Sequence, residues 1–63
     1  MISDRELWSC ALEQIRQHGE DAAVQAAMRA DELLNEGSID GAATWQRIVR
    51  RINELQGTPA AVH

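Results

Sequence analysis

The central segment of the chain, residues 22–34, reads AAVQAAMRADELL and decides how the other segments can pack. At about 100° per residue, its five alanines and the two leucines at its end share one helix face. That face consists of Ala22, Ala23, Ala26, Ala27, Ala30, Leu33 and Leu34. Because alanine is small, the pattern predicts a helix over residues 21–35 that its neighbours approach closely and pack against with larger side chains.

A first helix is predicted over residues 4–17, where a capping signal precedes an apolar stripe. Residues 3–6 read SDRE, in which the Ser3 and Glu6 side chains can each accept a hydrogen bond from the other residue's backbone N–H. Gly19 can adopt the left-handed conformation that ends a helix. The predicted inner face consists of Leu7, Trp8, Ala11, Leu12 and Ile15.

A third helix is predicted over residues 39–56. Ser38 is its expected N-cap, and Gly57 is expected to end it. Its apolar stripe consists of Trp45, Ile48, Val49, Ile52 and Leu55, extended upstream by Gly41 and Ala42. Trp8 and Trp45 are the largest side chains of the chain, so we expect them to fill the interior against the alanine face.

The arrangement of these segments predicts an all-α fold. No segment alternates apolar and polar residues over four or more positions, so a strand signal is missing from the sequence. Connections of only a few residues make consecutive helices antiparallel neighbours. We therefore expect a compact three-helix bundle over residues 1–57, followed by a disordered tail over residues 58–63.

Length and charge restrict the possible functions. A chain of 63 residues, 44% of them hydrophobic, forms one small domain without a deep substrate cavity. Its net charge of −4 argues against nucleic acid and anionic membranes as partners. A single cysteine, no leader pattern and no apolar run of about 18–20 residues predict a cytoplasmic protein that does not contact the membrane.

Three blocks of the sequence are similar to a known family. Residues 6–12 read ELWSCAL, residues 16–19 read RQHG, and Gly37, Gly41 and Trp45 follow at helical spacing. This pattern resembles a family of short, uncharacterised bacterial domains of unknown function that is found mainly in alphaproteobacteria. The resemblance extends over about residues 4–55 and implies a helical fold but no mechanism. Ser38 stands where that family tends to have an aspartate, another residue that caps helices.

Cys10 and His18 have the clearest chemical reach, but their spacing argues against a shared site. Eight residues at about 1.5 Å each separate them by about 12 Å along the helix, too far to hold one metal ion or to form a nucleophile–base pair. The adjacent acids Asp31 and Glu32 are typical of a solvated helix face. A phosphate-binding glycine loop and a Ser-His-Asp set are also missing from the sequence. We therefore expect no enzymatic activity and no cofactor or metal.

Val24 and Met28 are the most informative exception to the pattern of the central helix. They lie one turn apart on the side opposite the alanine face, so a three-helix monomer has no place to bury them. Two singly exposed apolar residues are normal on a protein surface. The thin core favours the alternative, in which this pair is an association surface for a second copy of the chain, as in a homodimer, or for another helical protein.

A second candidate surface is formed by Arg47, Arg50 and Arg51, which we expect to point outward from the third helix. A small DNA-associated regulatory protein could use such a face to contact phosphates. The alternative is a solvated face with an Arg50–Glu54 ion pair one turn apart. Three arginines in a chain of net charge −4 favour the solvated face.

Overall fold

The computed structural model describes residues 2–57, and over this range the chain forms three α-helices. They are α1 (Asp4–His18), α2 (Ala22–Asn35) and α3 (Ile39–Gln56), with a single 3-10 turn (Gly19–Asp21) between α1 and α2. The predicted all-α three-helix fold is thus confirmed, and α1 extends one residue further than expected. The tail predicted over residues 58–63 lies outside the described residues.

Helix α1 begins at the capping box that the sequence predicts. The Ser3 hydroxyl accepts a hydrogen bond from the Glu6 backbone N–H at 3.2 Å. The Glu6 carboxylate accepts one from the Ser3 backbone N–H at 2.9 Å. At the other end, Gly19 adopts a φ of 59° and its N–H donates to the Ile15 carbonyl. Both ends of α1 are therefore determined by residues within a few positions of them.

A tight turn reverses the chain between α2 and α3. Gly37 has a φ of 87°, which a side chain would oppose. Its N–H donates to the Leu34 carbonyl at 3.0 Å, and the Ser38 N–H donates to the Leu33 carbonyl at 2.8 Å. This pair of bonds is the Schellman motif that satisfies the last carbonyls of a helix. Because only Glu36, Gly37 and Ser38 separate the two helices, α2 and α3 run antiparallel.

Ser38 occupies the N-cap position of α3, as predicted, but its hydroxyl does not cap the helix. It lies instead only 2.7 Å from where a side chain at Gly41 would begin. The capping role expected of Ser38 is therefore wrong. Its backbone ψ of 79° does not bring the side chain to the N–H groups of the first turn.

The core is formed where the alanines of α2 meet larger side chains from both other helices. Ala22 and Ala26 are fully buried, and Ile52 from α3 is the largest side chain with no exposed surface. The rest of the buried cluster comes from Leu7, Ala11 and Ile48. The small alanines allow close approach, so α2 and α3 share the largest interface and α1 packs across both. Gln56 completes the bundle by donating a hydrogen bond to the Gly19 carbonyl at 2.9 Å.

Several side chains that were predicted to face the core are exposed. Trp8 is 36% exposed and Leu12 is 57% exposed on α1, and Leu34 and Leu55 are also on the surface. The prediction that Trp8 fills the interior is wrong, because α1 is turned so that Leu7 and Ala11 face the core instead. Trp45 is half-buried and packs against the core, together with Cys10 and Val49.

Candidate interaction surface

The α2 outer face, defined by Val24 and Met28, is solvent-exposed. Val24 is 58% exposed and Met28 is 51% exposed, one helical turn apart. The opposite side of the same helix buries Ala22, Ala26 and Ala30 almost completely. The buried residues of α2 are thus all alanines, whereas the larger apolar side chains of Val24 and Met28 are in contact with water.

Acidic residues surround the α2 outer face. Glu20 and Asp21 lie three to four positions before Val24, and Asp31 and Glu32 lie three to four positions after Met28. At these spacings Asp31 and Glu32 neighbour Met28 on the surface of α2, and Glu20 and Asp21 lie in the 3-10 turn that leads into the helix. Glu32 pairs with Arg29 at 3.2 Å, and the other three carboxylates have no ion-pair partner within residues 2–57. This acidic rim of Glu20, Asp21, Asp31 and Glu32 makes the surroundings of the apolar pair strongly negative.

A shallow groove of about 260 Å³ opens beside Met28. All three helices contribute to its lining, which consists of Gln14, His18, Gln25, Met28, Arg29, Glu32 and Trp45. The Trp45 ring gives the groove an apolar element next to the α2 outer face. The groove therefore combines two apolar side chains, Met28 and Trp45, with a mostly polar lining.

The three arginines of α3 line one groove, but they differ in exposure and in their partners. Arg51 is only 24% exposed and its guanidinium lies over the Trp8 ring, 5.1 Å from the ring centroid. It also pairs with Glu54 at 3.2 Å and with Asp4 at 3.5 Å. The expected Arg50–Glu54 pair is wrong, since Glu54 pairs with Arg51. The residue spacing could not distinguish the two, because positions three and four apart are both neighbours on a helix.

Arg47 and Arg50 are exposed, and neither has a hydrogen-bond or ion-pair partner within the described part of the chain. Together with Arg51, Asp4 and Leu7 they line a groove of about 290 Å³ between the start of α1 and α3. Asp4 places a negative charge inside this groove and reduces its attraction for phosphates. Within residues 2–57, two of the three arginines proposed to contact phosphates are therefore without an ion pair, Arg47 and Arg50.

Cys10 and His18 occupy different environments. Cys10 is half-buried and packs against the core, whereas His18 is exposed at the end of α1 and lines the groove beside Met28. In the region from residue 2 to residue 57, no three His, Cys, Asp or Glu side chains are grouped closely enough to hold a metal ion. The same region contains no helix with the length and apolar character to cross a membrane.

The side chains with shifted pKa values on α1 act in helix stability. A hydrogen bond from the Ser3 backbone lowers the pKa of Glu6. A hydrogen bond from Arg16 lowers the pKa of Glu13, and the same contact raises the pKa of Arg16. Each shift comes from a partner three residues away on the surface of the helix, which is the pattern of caps and surface pairs.

Three further apolar residues are exposed although the sequence predicted them to face the core: Trp8, Leu12 and Leu55. Their apolar character had assigned them to the core. Leu12 and Leu55 lie at the edge of their predicted stripes, where burial depends on how the helix is rotated, whereas Trp8 lies near the middle of its stripe and has no such signal.

The fold and the surface together define a class of protein: a small all-α domain with a thin core, exposed apolar side chains and grooves that are shallow. Comparison with known proteins places it in a family. The model of a family of unknown function (DUF6961) matches residues 3–59, and the chain belongs to that family. No curated protein and no solved structure matches the chain.

Proposed function

We propose that this protein is a cytoplasmic, non-enzymatic helical interaction module that binds through the α2 outer face. The observation that carries the proposal is the exposure of Val24 and Met28 on the side of α2 that points away from its buried alanines. Helices that present an apolar pair one turn apart are bound by laying that face against a partner helix. The shallow groove beside Met28 adds a place for a partner side chain.

The open shape of the groove beside Met28 fits a binding role better than catalysis. The groove next to Met28 is open to solvent, and its lining combines amides, an Arg29–Glu32 pair and one indole. Catalytic sites depend on converging groups with matched pKa values in a closed cavity. The side chains of this groove suit recognition of another surface better than conversion of a small substrate.

A role in nucleic-acid association is the weaker proposal. It requires Arg47, Arg50 and Arg51 to contact phosphates together, but Arg51 is already engaged by Trp8, Asp4 and Glu54. Two arginines cannot offset a net charge of −4 at ordinary salt concentrations. Electrophoretic mobility shift at low salt tests this alternative, and we expect no salt-dependent complex.

The proposal is tested by removing the apolar pair while keeping the helix. The double variant Val24→Ser/Met28→Ser is compared with the native protein and with a control, Ile39→Ser, which alters another exposed apolar residue, 70% exposed, at the start of α3. Tagged forms of all three are used for affinity capture in cells. Captured proteins are identified by mass spectrometry and rebound in purified form, and sedimentation velocity measures self-association of each form.

We expect a complex, with another protein or with a second copy, that the native protein and Ile39→Ser both form and the double variant loses. Circular dichroism should show equal helix content in all three proteins. A double variant that binds as the native protein does would overturn the proposal.

A further inference from the structure

We propose that the partner of the α2 outer face is a basic amphipathic helix of another protein, rather than a second copy of this chain. This inference deepens the proposed function and rests on it. It follows from the charges that surround Val24 and Met28, which a second copy would repeat and a basic helix would complement.

The negative charge is concentrated around the apolar pair. Residues 20–36 carry five acidic side chains and one arginine, whereas residues 38–56 carry a net charge of +1. Within the described range, Arg29 pairs with Glu32, but Glu20, Asp21 and Asp31 form no ion pair. A partner must therefore supply positive charge on both sides of its apolar stripe, one helical turn beyond the contact in each direction.

Self-pairing through this face would bring like charges together. Consider an antiparallel contact that places Val24 against Met28 of a second copy. In this register, a residue of one copy faces the residue of the other copy for which the two numbers sum to 52. Asp21, the N-cap of α2, then lies at the level of Asp31 of the second copy, and Glu20 in the preceding turn lies at the level of Glu32. In a parallel contact each acid meets its own equivalent. Both two-fold arrangements therefore oppose acid to acid on both sides of the apolar pair, which is unfavourable when the carboxylates lose water.

The apolar area alone is too small to overcome that repulsion. A stable interface buries about 800 Å² on each partner, and two half-exposed side chains provide only a fraction of it. Most of the remaining contact must come from the acidic rim. A basic helix makes this rim a source of attraction and of fast association, whereas a second copy makes it a cost.

The groove beside Met28 indicates how such a helix would be held. A leucine or similar side chain of the partner could enter between Met28 and Trp45, while neighbouring apolar residues cover Val24. Trp45 then changes its environment when the face is occupied. Its fluorescence provides a direct signal, once Trp8 has been replaced by Phe so that Trp45 is the only indole.

The experiment uses two synthetic helical peptides with the same leucine spacing. One carries lysine and arginine at its polar positions and the other carries glutamate. Each is titrated into the full-length Trp8→Phe protein at several salt concentrations, with Trp45 fluorescence as the readout. We expect the basic peptide to bind, with an affinity that falls as salt rises, and the acidic peptide to bind at least tenfold more weakly.

Charge variants of the protein identify where the basic peptide is bound. Asp21→Asn/Asp31→Asn should weaken it roughly tenfold, which lies within the range expected for the loss of two exposed ion pairs. Asp40→Asn is the matched control, since Asp40 lies on α3 beside Ile2 and Arg47 and its loss should leave binding unchanged.

The outcomes separate this inference from the proposed function. Equal binding of both peptides, no binding of the basic peptide, or equal effects of the two charge variants would overturn the basic partner. A reversible dimer that Val24→Ser/Met28→Ser abolishes would show that the partner is a second copy. In that case the inference fails while the interaction module remains.

Discussion

Replacing Arg51 by alanine should destabilise the protein, whereas replacing Arg50 should not. The two residues are adjacent in sequence and identical in type, but their surroundings differ. Arg51 lies over the Trp8 ring and pairs with Asp4 and Glu54, while Arg50 is exposed and has no partner within residues 2–57. The pair therefore distinguishes a structural arginine from a free one within a single helical turn.

The magnitude follows from the contacts that are lost. A cation over an aromatic ring contributes about 0.5–1 kcal/mol, and an exposed ion pair contributes about 0–1 kcal/mol. A small gain partly offsets these losses. The buried Arg51 Nε has no hydrogen-bond partner among the described atoms, so removing the side chain also removes the cost of burying that group. We expect Arg51→Ala to cost about 1–2 kcal/mol, and Arg50→Ala to cost less than about 0.5 kcal/mol.

Such a loss is easily measured in a domain of this size. Small domains have a free energy of unfolding of about 0.05–0.15 kcal/mol per residue, so the total here is about 3–9 kcal/mol. With a urea dependence of about 1 kcal/mol per molar, Arg51→Ala should lower the unfolding midpoint by roughly 1–2 M. Circular dichroism follows the transition without depending on either tryptophan. Equal midpoints for Arg51→Ala and Arg50→Ala would refute the structural role of Arg51.

Three further predictions follow from single contacts. Ile52→Ala removes the largest fully buried side chain and should cost about 2–5 kcal/mol, enough to leave much of the protein unfolded in a thermal melt. Gly41→Ala should raise the free energy of unfolding by about 0.5–1 kcal/mol in urea titration, because the Ser38 hydroxyl that crowds the new methyl makes no capping bond and can rotate away. The native protein should have a higher free energy of unfolding than Glu6→Leu at pH 7. This difference should shrink as the pH falls below about 4.5, because the pKa of Glu6 is lowered in the folded state and protonation weakens its hydrogen bond from the Ser3 N–H. A constant difference between pH 7 and pH 3 would contradict the assigned role of the Glu6 carboxylate.

The limits of the helices could be predicted from the sequence because they depend on near neighbours. The Ser3–Glu6 capping box, the turn at Gly37 and the end of α3 at Gly57 each involve residues within five positions of each other. The alanine face of α2 could also be predicted, since its small residues recur at helical spacing over several turns.

The rotation of α1 could not be predicted in the same way. Leu7 and Trp8 lie only about 100° apart on the helix, and both are apolar, so either could face the core. The structure buries Leu7 and leaves Trp8 at the surface, where its ring covers Arg51 from α3. That contact joins residues 43 positions apart, and no local pattern announces it.

The candidate surface shows the same division. The position of Val24 and Met28 opposite the alanine face was predictable from helical periodicity, and so was the run of acids around them. The groove that joins Met28 to Trp45 was not, because it forms only when three helices meet. The ion pairs and ring contact that distinguish Arg51 from Arg47 and Arg50 also required the packed structure, since the three arginines share one short segment of sequence.

The sequence by itself determined the helical class, the helix limits and the acidic, apolar character of α2. These properties come from backbone capping and from a repeat of about 3.6 residues, which act over one or two turns. Only the tertiary structure decided that Trp8 contacts Arg51 at the surface, that Ile52 lies in the core, and that Trp45 and Met28 line the same groove. The reason is that a close-packed interior requires side chains from different helices to fit together. That fit depends on the shapes and volumes of residues that are distant in the sequence.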